Sequence, residues 1–164
     1  MLSVLSFVVD IGCGESKLEG ALGIDLRVAD SVDLVADGLN LPFRDGAVDH
    51  VFSSYLIEHY GHRVVEHVLI EWVRVLKRGG FLEIRAPNLR SRALLFVLNP
   101  TWHSIVQIFG EQDHLGNFHK SGFTKGILKD LVRSAGIVNI RDIFESYRGI
   151  PFIPRCIHVI GQKN

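Results

Sequence analysis

Short apolar runs rich in β-branched residues alternate with stretches of helical period, a pattern that predicts a parallel sheet covered on both faces. The first run, Leu5–Ile11, ends at Gly12-Cys13-Gly14. A second, Ala21–Leu26, carries Asp25 near its end, and a third, about Val32–Ala36, precedes Asp37-Gly38. The fourth, Ala47–Ser53, follows the turn signal Arg44-Asp45-Gly46. The clearest helix is predicted over Arg63–Lys77, where Val64, Val65, Val68, Leu69, Trp72, Val75 and Leu76 keep an i, i+3, i+4 rhythm. Gly79-Gly80 are expected to stop it, and Phe81–Ala86 reads as a fifth strand closed by Pro87. Thr124 is placed to cap a helix that buries Ile127, Leu128, Leu131, Val132 and Ala135 before Gly136. Two closing strands, about Val138–Phe144 and Cys156–Ile160, flank a turn around Arg148-Gly149-Ile150-Pro151 and predict an antiparallel pair at one sheet edge.

The segment Asn88–Gly122 does not fit this alternation. It holds apolar helical material (Leu94–Leu98, then Trp102, Ile105, Val106, Ile108 and Phe109) and reads either as a lid of about 88–122 or as a helical pair completing the core. With no linker and no repeat, the 164 residues are expected to form one domain.

Composition narrows the classes. A chain with 47% hydrophobic residues is not disordered, and equal totals of 18 basic and 18 acidic residues give no electrostatic pull toward nucleic acid. Two cysteines, Cys13 and Cys156, are too few for a disulfide framework and suggest a reducing, cytoplasmic setting. Met1–Val9 lacks the basic flank of a signal peptide, and the uncharged stretch Ala93–Gly110 is too interrupted for a membrane span.

Candidate chemistry gathers where strands end. In open α/β sheets, ligands bind beyond the carboxyl ends of the strands, and glycine lets a backbone approach them without a Cβ clash. Val9-Asp10-Ile11-Gly12-Cys13-Gly14 supplies such a turn. Asp25, at the next strand end, has a carboxylate suited to paired ribose hydroxyls, and Asp37 one suited to an exocyclic amine. Each alone is equally a turn residue.

The ordered set Asp10-Ile-Gly-Cys-Gly, Gly23-Ile-Asp25, Asp37 with Leu41-Pro42-Phe43, Val48-Asp49-His-Val51, Glu58-His59 and Arg74-Val-Leu-Lys77-Arg-Gly79-Gly80 resembles a class I S-adenosylmethionine-dependent methyltransferase. The resemblance spans about Val8–Ile84 well and Phe118–Gly136 loosely. It implies a Rossmann-like three-layer α/β sandwich with a mostly parallel seven-stranded sheet, an antiparallel last strand and truncated first helices. It also implies S-adenosyl-L-methionine as cofactor. Asp10, Gly12, Cys13 and Gly14 would line its methionine part, Asp25 and Leu26 the ribose, and Asp37, Gly38 and Leu39 the adenine. Ser53, Ser54 and Tyr55 would lie near the sulfonium. Glu15 stands where the family has a third glycine, and Cys13–Gly20 is too short for the usual crossover helix, so that helix must be reduced to a turn.

Methyl transfer from a sulfonium needs alignment more than acid–base help, and a base only when the nucleophile carries a proton. His59 and His119 are the candidate bases, with Tyr55 a wall or a participant. His59, His62 and His67 near one helix start, with Glu58 and Glu66 nearby, invite a metal reading, but a solvated face fits their positions better, so no metal is expected. The acceptor is expected to be a small molecule, and a homodimer would cover the bare cleft. The rival reading is a cofactor-binding or interaction module with this fold and no turnover. A nicotinamide-dependent dehydrogenase is disfavoured, because Lys17 stands where its fingerprint needs a small residue.

Overall fold

The computed structural model describes residues 6–114, 116–144, 146–147, 150–154 and 156–164. Its centre is a seven-stranded sheet in the order β3-β2-β1-β4-β5-β9-β6, with β1 Val8–Ile11, β2 Leu22–Asp25, β3 Leu34–Val35, β4 Val48–Ser54, β5 Leu76–Pro87, β6 Ile137–Asp142 and β9 Cys156–Lys163. β1 to β5 pair in parallel, and β9 runs antiparallel to both its neighbours, β5 and β6. The closing pair therefore does sit at a sheet edge, with β9 inside and β6 outermost. A hairpin of β7 Ser146–Tyr147 and β8 Ile150–Pro154 stands where the turn was expected; Arg148 and Gly149, like Leu5, lie outside the described residues.

Two helices bury one face of this sheet. α1 (Val65–Val75) contributes Val68, Leu69 and Trp72, and α4 (Lys125–Ser134) contributes Leu128 and Val132, to a single core with Val9, Ile11, Ile24, Val51, Leu82, Ile84 and Val159. Thr124 caps α4 as predicted, accepting from the Ile127 N–H at 3.4 Å. α1 is shorter than expected. It ends at Val75 because Leu76 turns extended (ψ 139°) and pairs with Val48, so Gly79 and Gly80 lie within β5 rather than stopping the helix. Glycine is needed there for close approach: a Cβ on Gly80 would lie 2.9 Å from the Asp49 carbonyl oxygen.

The other face follows from the connections. Right-handed crossovers from β1 to β2 and β2 to β3 lie on the face opposite those that follow β4. Among the described residues no α-helix precedes α1, so loops make the layer on that face. The loop after β1 folds onto it, with the Leu18 N–H on Asp10 Oδ2 at 2.7 Å, and Lys17, Cys13 and Ser31 close over Gly23. Farther along, Phe81 and Val138 remain 42% and 40% exposed.

Carboxylates do the work of the missing helices. Asp49 accepts from the Phe7 N–H, Asp25 from Gly14 and Arg27, Asp33 from Gly23 and Asp37 from Leu39, all at 2.7–3.0 Å. From α1, Glu71 accepts from Leu41 and Arg74 donates to the Leu41 and Phe43 carbonyls, so the polar side of this helix pins the loop between β3 and β4.

Within the segment that broke the alternation lie α2 (Leu89–Leu98) and α3 (Trp102–Phe109), joined by an Arg92–Gln107 hydrogen bond. Thr101 and Ser104 cap α3 reciprocally. Only Ser91 of α2 is buried and nothing of α3 is, so the pair adds little to the core.

Candidate functional site

Four adjacent strands, in the order β3-β2-β1-β4, bring their carboxyl ends to one rim. Register fixes the alignment: Ile11 lies opposite Ile24, Asp25 opposite Val35, and Asp10 opposite Phe52. The glycine turn, Asp25 and Asp37 therefore follow from consecutive strand tips, as the sequence reading required.

Gly12 and Gly14 both take positive φ, at 74° and 54°, conformations that glycine adopts without strain. The Cβ position of Gly12 is filled by Leu56, whose Cδ2 would lie 2.6 Å away, so the turn packs directly against the chain leaving β4. Cys13 points into the sheet layer, 7% exposed. Burial, then the charges of Asp10 and Asp25, push its thiol up to about 11, which makes it packing rather than a nucleophile. Asp10 is 2% exposed. Burial raises its carboxyl above the usual range, the Leu18 N–H opposes this, and the Asp25 charge adds to it.

Asp25 is the hinge of the rim. Its Oδ2 accepts from Gly14 N–H at 3.0 Å and its Oδ1 from Arg27 N–H at 2.9 Å. A carboxylate oxygen has two acceptor positions, so each retains one for a second donor. Asp37 is similarly anchored through Oδ1 to Leu39 N–H at 2.9 Å. Gly38 between them is buried, its carbonyl held by Trp72 Nε1 at 3.0 Å, and a Cβ there would meet the Tyr60 hydroxyl at 2.7 Å. Burial first, then Asp37 and Asp25, raise the Tyr60 phenol far above its ordinary value, which keeps the hydroxyl neutral beside both carboxylates.

Not every expected residue turns toward the rim. Ser53 is 1% exposed and donates to the Ile11 carbonyl at 2.9 Å, so its side chain belongs to the helix face. Ser54, one position on, takes the opposite face, half-buried. Leu26 is 65% exposed beyond Asp25. Tyr55 holds φ 56°, a left-handed conformation rare for an aromatic residue that carries about 1–3 kcal/mol of strain. Such strain persists where surrounding contacts enforce it, and the Tyr55 N–H bond to the Arg85 carbonyl at 2.9 Å is one of them.

His59 and His119, 60 positions apart in the chain, meet edge to face with ring centroids 5.1 Å apart. A carbonyl only accepts, so the His59 Nδ1–H donates to Phe118 O at 3.1 Å and the His119 Nδ1–H to Ile108 O at 3.0 Å. Burial, and for His59 the neighbouring His119, lower both imidazoles, so neutral rings prevail at neutral pH. Neighbouring Glu58 is 1% exposed, and its carboxylate oxygens make no hydrogen bond. Sequence reasoning missed the parts played by Leu56 and Tyr60, and it met Glu58 only in the Glu58-His59 pair of the resemblance and beside the histidines of the disfavoured metal reading, not as a buried carboxylate.

Two cavities lie away from the rim, one of about 500 Å³ lined by Phe81, Asn139, Arg141 and Gln162, and one of about 510 Å³ by Phe7, Lys17, Ala21 and Asp33. At the rim itself stand the glycine turn and the Asp25 and Asp37 carboxylates, with Leu56 packed over Gly12 and Tyr60 over Gly38.

Comparison with known proteins gives the rim a context. A family model described as a methyltransferase domain matches residues 20–84. A curated relative from Xenopus tropicalis, named tRNA (carboxymethyluridine(34)-5-O)-methyltransferase alkbh8, is 34% identical over 93 residues, covering 46% of this chain. The chain spans only 14% of that relative's length. A crystal structure of an S-adenosylmethionine-dependent methyltransferase from Archaeoglobus fulgidus superposes with a TM-score of 0.66 over 98% of this chain and 87% of that one, at 17% identity. The 1,6-didemethyltoxoflavin-N1-methyltransferase of Burkholderia thailandensis, solved with bound 1,6-didemethyltoxoflavin and S-adenosylhomocysteine, gives a TM-score of 0.63 over 97% of this chain and 71% of that one, at 13% identity.

Proposed function

We propose, for a chain that belongs to the class I S-adenosylmethionine-dependent methyltransferases by its domain match and its fold, that it transfers a methyl group to a small-molecule acceptor held beneath α2 and α3. The observation that carries the reading is the state of Asp25: clamped by two backbone N–H groups at the strand rim, with one acceptor position left on each oxygen for adjacent hydroxyls.

The residues of the rim suit the cofactor end to end. Gly14, whose Cβ direction is open, offers a close backbone approach for the methionine part beside Gly12 and Asp10, and the neighbouring carboxylates favour a cation at its sulfur. Asp37, Gly38 and Leu39 frame the flat base, with the neutral Tyr60 hydroxyl beside them. When bound, the cofactor supplies a methyl group already activated for in-line displacement. The protein then aligns the acceptor and excludes water, with Tyr55 and Ser54 at the tip of β4 and the α2–α3 pair as lid. A neutral His59 or His119 takes a proton only from an acceptor that carries one.

The tRNA substrate in the relative's name belongs to a much longer protein, and the balanced charge here offers no tracking of phosphates. Among the described residues no helix is long and apolar enough to cross a membrane. A cytoplasmic enzyme, with a second copy covering the rim, is the setting we favour.

Calorimetric titration with S-adenosylhomocysteine tests the reading. Wild-type protein is expected to bind saturably, and Asp25→Asn at least tenfold more weakly, with a modest fall in melting temperature because its amide can accept only one of the two backbone N–H bonds. Absence of binding at millimolar ligand, or affinity indifferent to this substitution, would overturn it in favour of a module without turnover.

A further inference from the structure

The post-β4 turn places a carboxylate and an imidazole next to each other in sequence, and the chain returning from α3 adds a second imidazole. One Glu58 oxygen and one ring nitrogen from each of His59 and His119 lie within 4.8 Å of one another. This grouping differs from the His59, His62 and His67 set that spacing alone suggests; His62 and His67 are exposed.

Three features set the cluster apart from a chance meeting of polar side chains. Glu58 is 1% exposed and both its oxygens lack a hydrogen-bond partner, a costly arrangement for a carboxylate unless something else satisfies it. Both histidines place Nδ1 on a backbone carbonyl, which is how metal-ligating imidazoles are usually oriented; His119 keeps Nε2 as its donor atom, and His59 has the Tyr55 backbone as a further partner that an ion would displace. The segment is also stitched in place: the Glu58 carbonyl accepts from Lys120 and Ser121 at 2.8 and 3.1 Å, and Ser121 Oγ donates to the Tyr60 carbonyl at 2.8 Å.

We infer that Glu58, His59 and His119 form a binding site for one divalent transition ion of the zinc or cobalt kind. Two imidazoles and a carboxylate suit such borderline ions better than magnesium or calcium, which prefer all-oxygen shells. Three protein ligands leave coordination positions open, the arrangement of catalytic rather than structural sites. In a closed tetrahedral zinc site the donor atoms stand about 3.3 Å apart, given bonds of about 2.0–2.1 Å, so loading draws the three side chains together. Arg92 near His119 and Lys120 near His59 put positive charge beside the cluster, which opposes the ion itself and favours an anionic oxygen at its open positions. On the methyl-transfer reading that ligand is the acceptor's oxygen; this role rests on that reading, whereas ion binding does not.

The test uses the full chain stripped with chelator and titrated with Zn2+ alone by calorimetry, with the visible absorption of added Co2+ as a second reading. One ion per chain is expected. Glu58→Gln, His59→Gln and His119→Gln should each weaken binding at least tenfold, and His67→Ala should not. Glu58→Gln also separates a lost site from a lost fold. Removing an unpartnered buried carboxylate should raise the metal-free melting temperature by a few degrees while abolishing the further rise that Zn2+ gives. Absence of saturable one-to-one binding, or equal affinity in the His119 variant, would overturn the site. Zn2+ binding without S-adenosylhomocysteine binding would sink the proposed function and leave the site standing; the reverse would sink the site alone.

Discussion

Asp10 enters the fold as a charge and becomes nearly inaccessible, with the charge of Asp25 nearby and one backbone N–H in compensation. Its raised pKa means that the folded state disfavours the ionised form more than the unfolded chain does. Stability is therefore drawn down as pH rises above the ordinary value of 3.8. Asp10→Asn keeps an acceptor for Leu18 N–H and removes the charge. It should raise the melting temperature at pH 7, by calorimetry, and at the same time weaken S-adenosylhomocysteine binding, the exchange expected of a residue held for function. Asp10, Asp25 and Asp37 were legible in the sequence because each ends an apolar run, and a strand's end is where an α/β sheet meets its ligand. The burial of Glu58 was not. It depends on Lys120 and Ser121 arriving from 60 positions away, and nothing local marks a carboxylate for the interior.

At the next scale, the turn of residues 55–60 organises the rim. In six residues it carries a left-handed Tyr55, the Leu56 cover over Gly12, a core Ile57, the buried Glu58, His59 and the Tyr60 hydroxyl over Gly38. The tight fit at Gly38 makes a coupled prediction. Gly38→Ala drives a methyl group to 2.7 Å from Tyr60 Oη and 3.1 Å from Ile11 Cγ2, which should destabilise the protein by about 1–3 kcal/mol. Tyr60→Phe opens that space, so the double variant should recover part of the loss, with a coupling above about 0.5 kcal/mol in a urea-melt cycle. Additive losses would mean that the two do not touch. Periodicity gave α1 and α4 nearly in full. It overran the end of α1, because the pairing of Leu76 with Val48 outcompeted a helical rhythm that runs on through Leu76.

Across the whole molecule, the sheet order and its antiparallel β9 followed from the alternation of elements and the family resemblance, while the thinness of the loop-made layer could be inferred only from the short connections. That layer also hosts an ionic ladder. Glu83 on β5 meets His158 Nε2 at 2.7 Å and His50 Nε2 at 3.3 Å, with Arg85 stacked over Phe52. The closeness of His50, then the hydrogen bond from His158, hold the Glu83 carboxyl below its usual range despite burial. Asp33 is lowered chiefly by Lys17, Asp49 by Lys77 and Glu71 by Arg74. A lowered folded pKa gives stability that is present above the unfolded value, near 4, and is lost as pH falls through the folded one. The melting temperature should therefore drop between pH 5 and 3, and Glu83→Gln should flatten part of that slope. A profile unchanged by the substitution would remove Glu83 from the account.

The ten residues from Gly12 to Ala21 cross from β1 to β2 without a helix. The amides of Gly12, Cys13, Gly14 and Leu18 are spent on Ile24, Asp25 and Asp10, so an anion arriving there meets no stack of aligned peptide dipoles. On the proposed reading, a grip so light should let spent ligand depart quickly, and turnover should follow the supply of fresh donor.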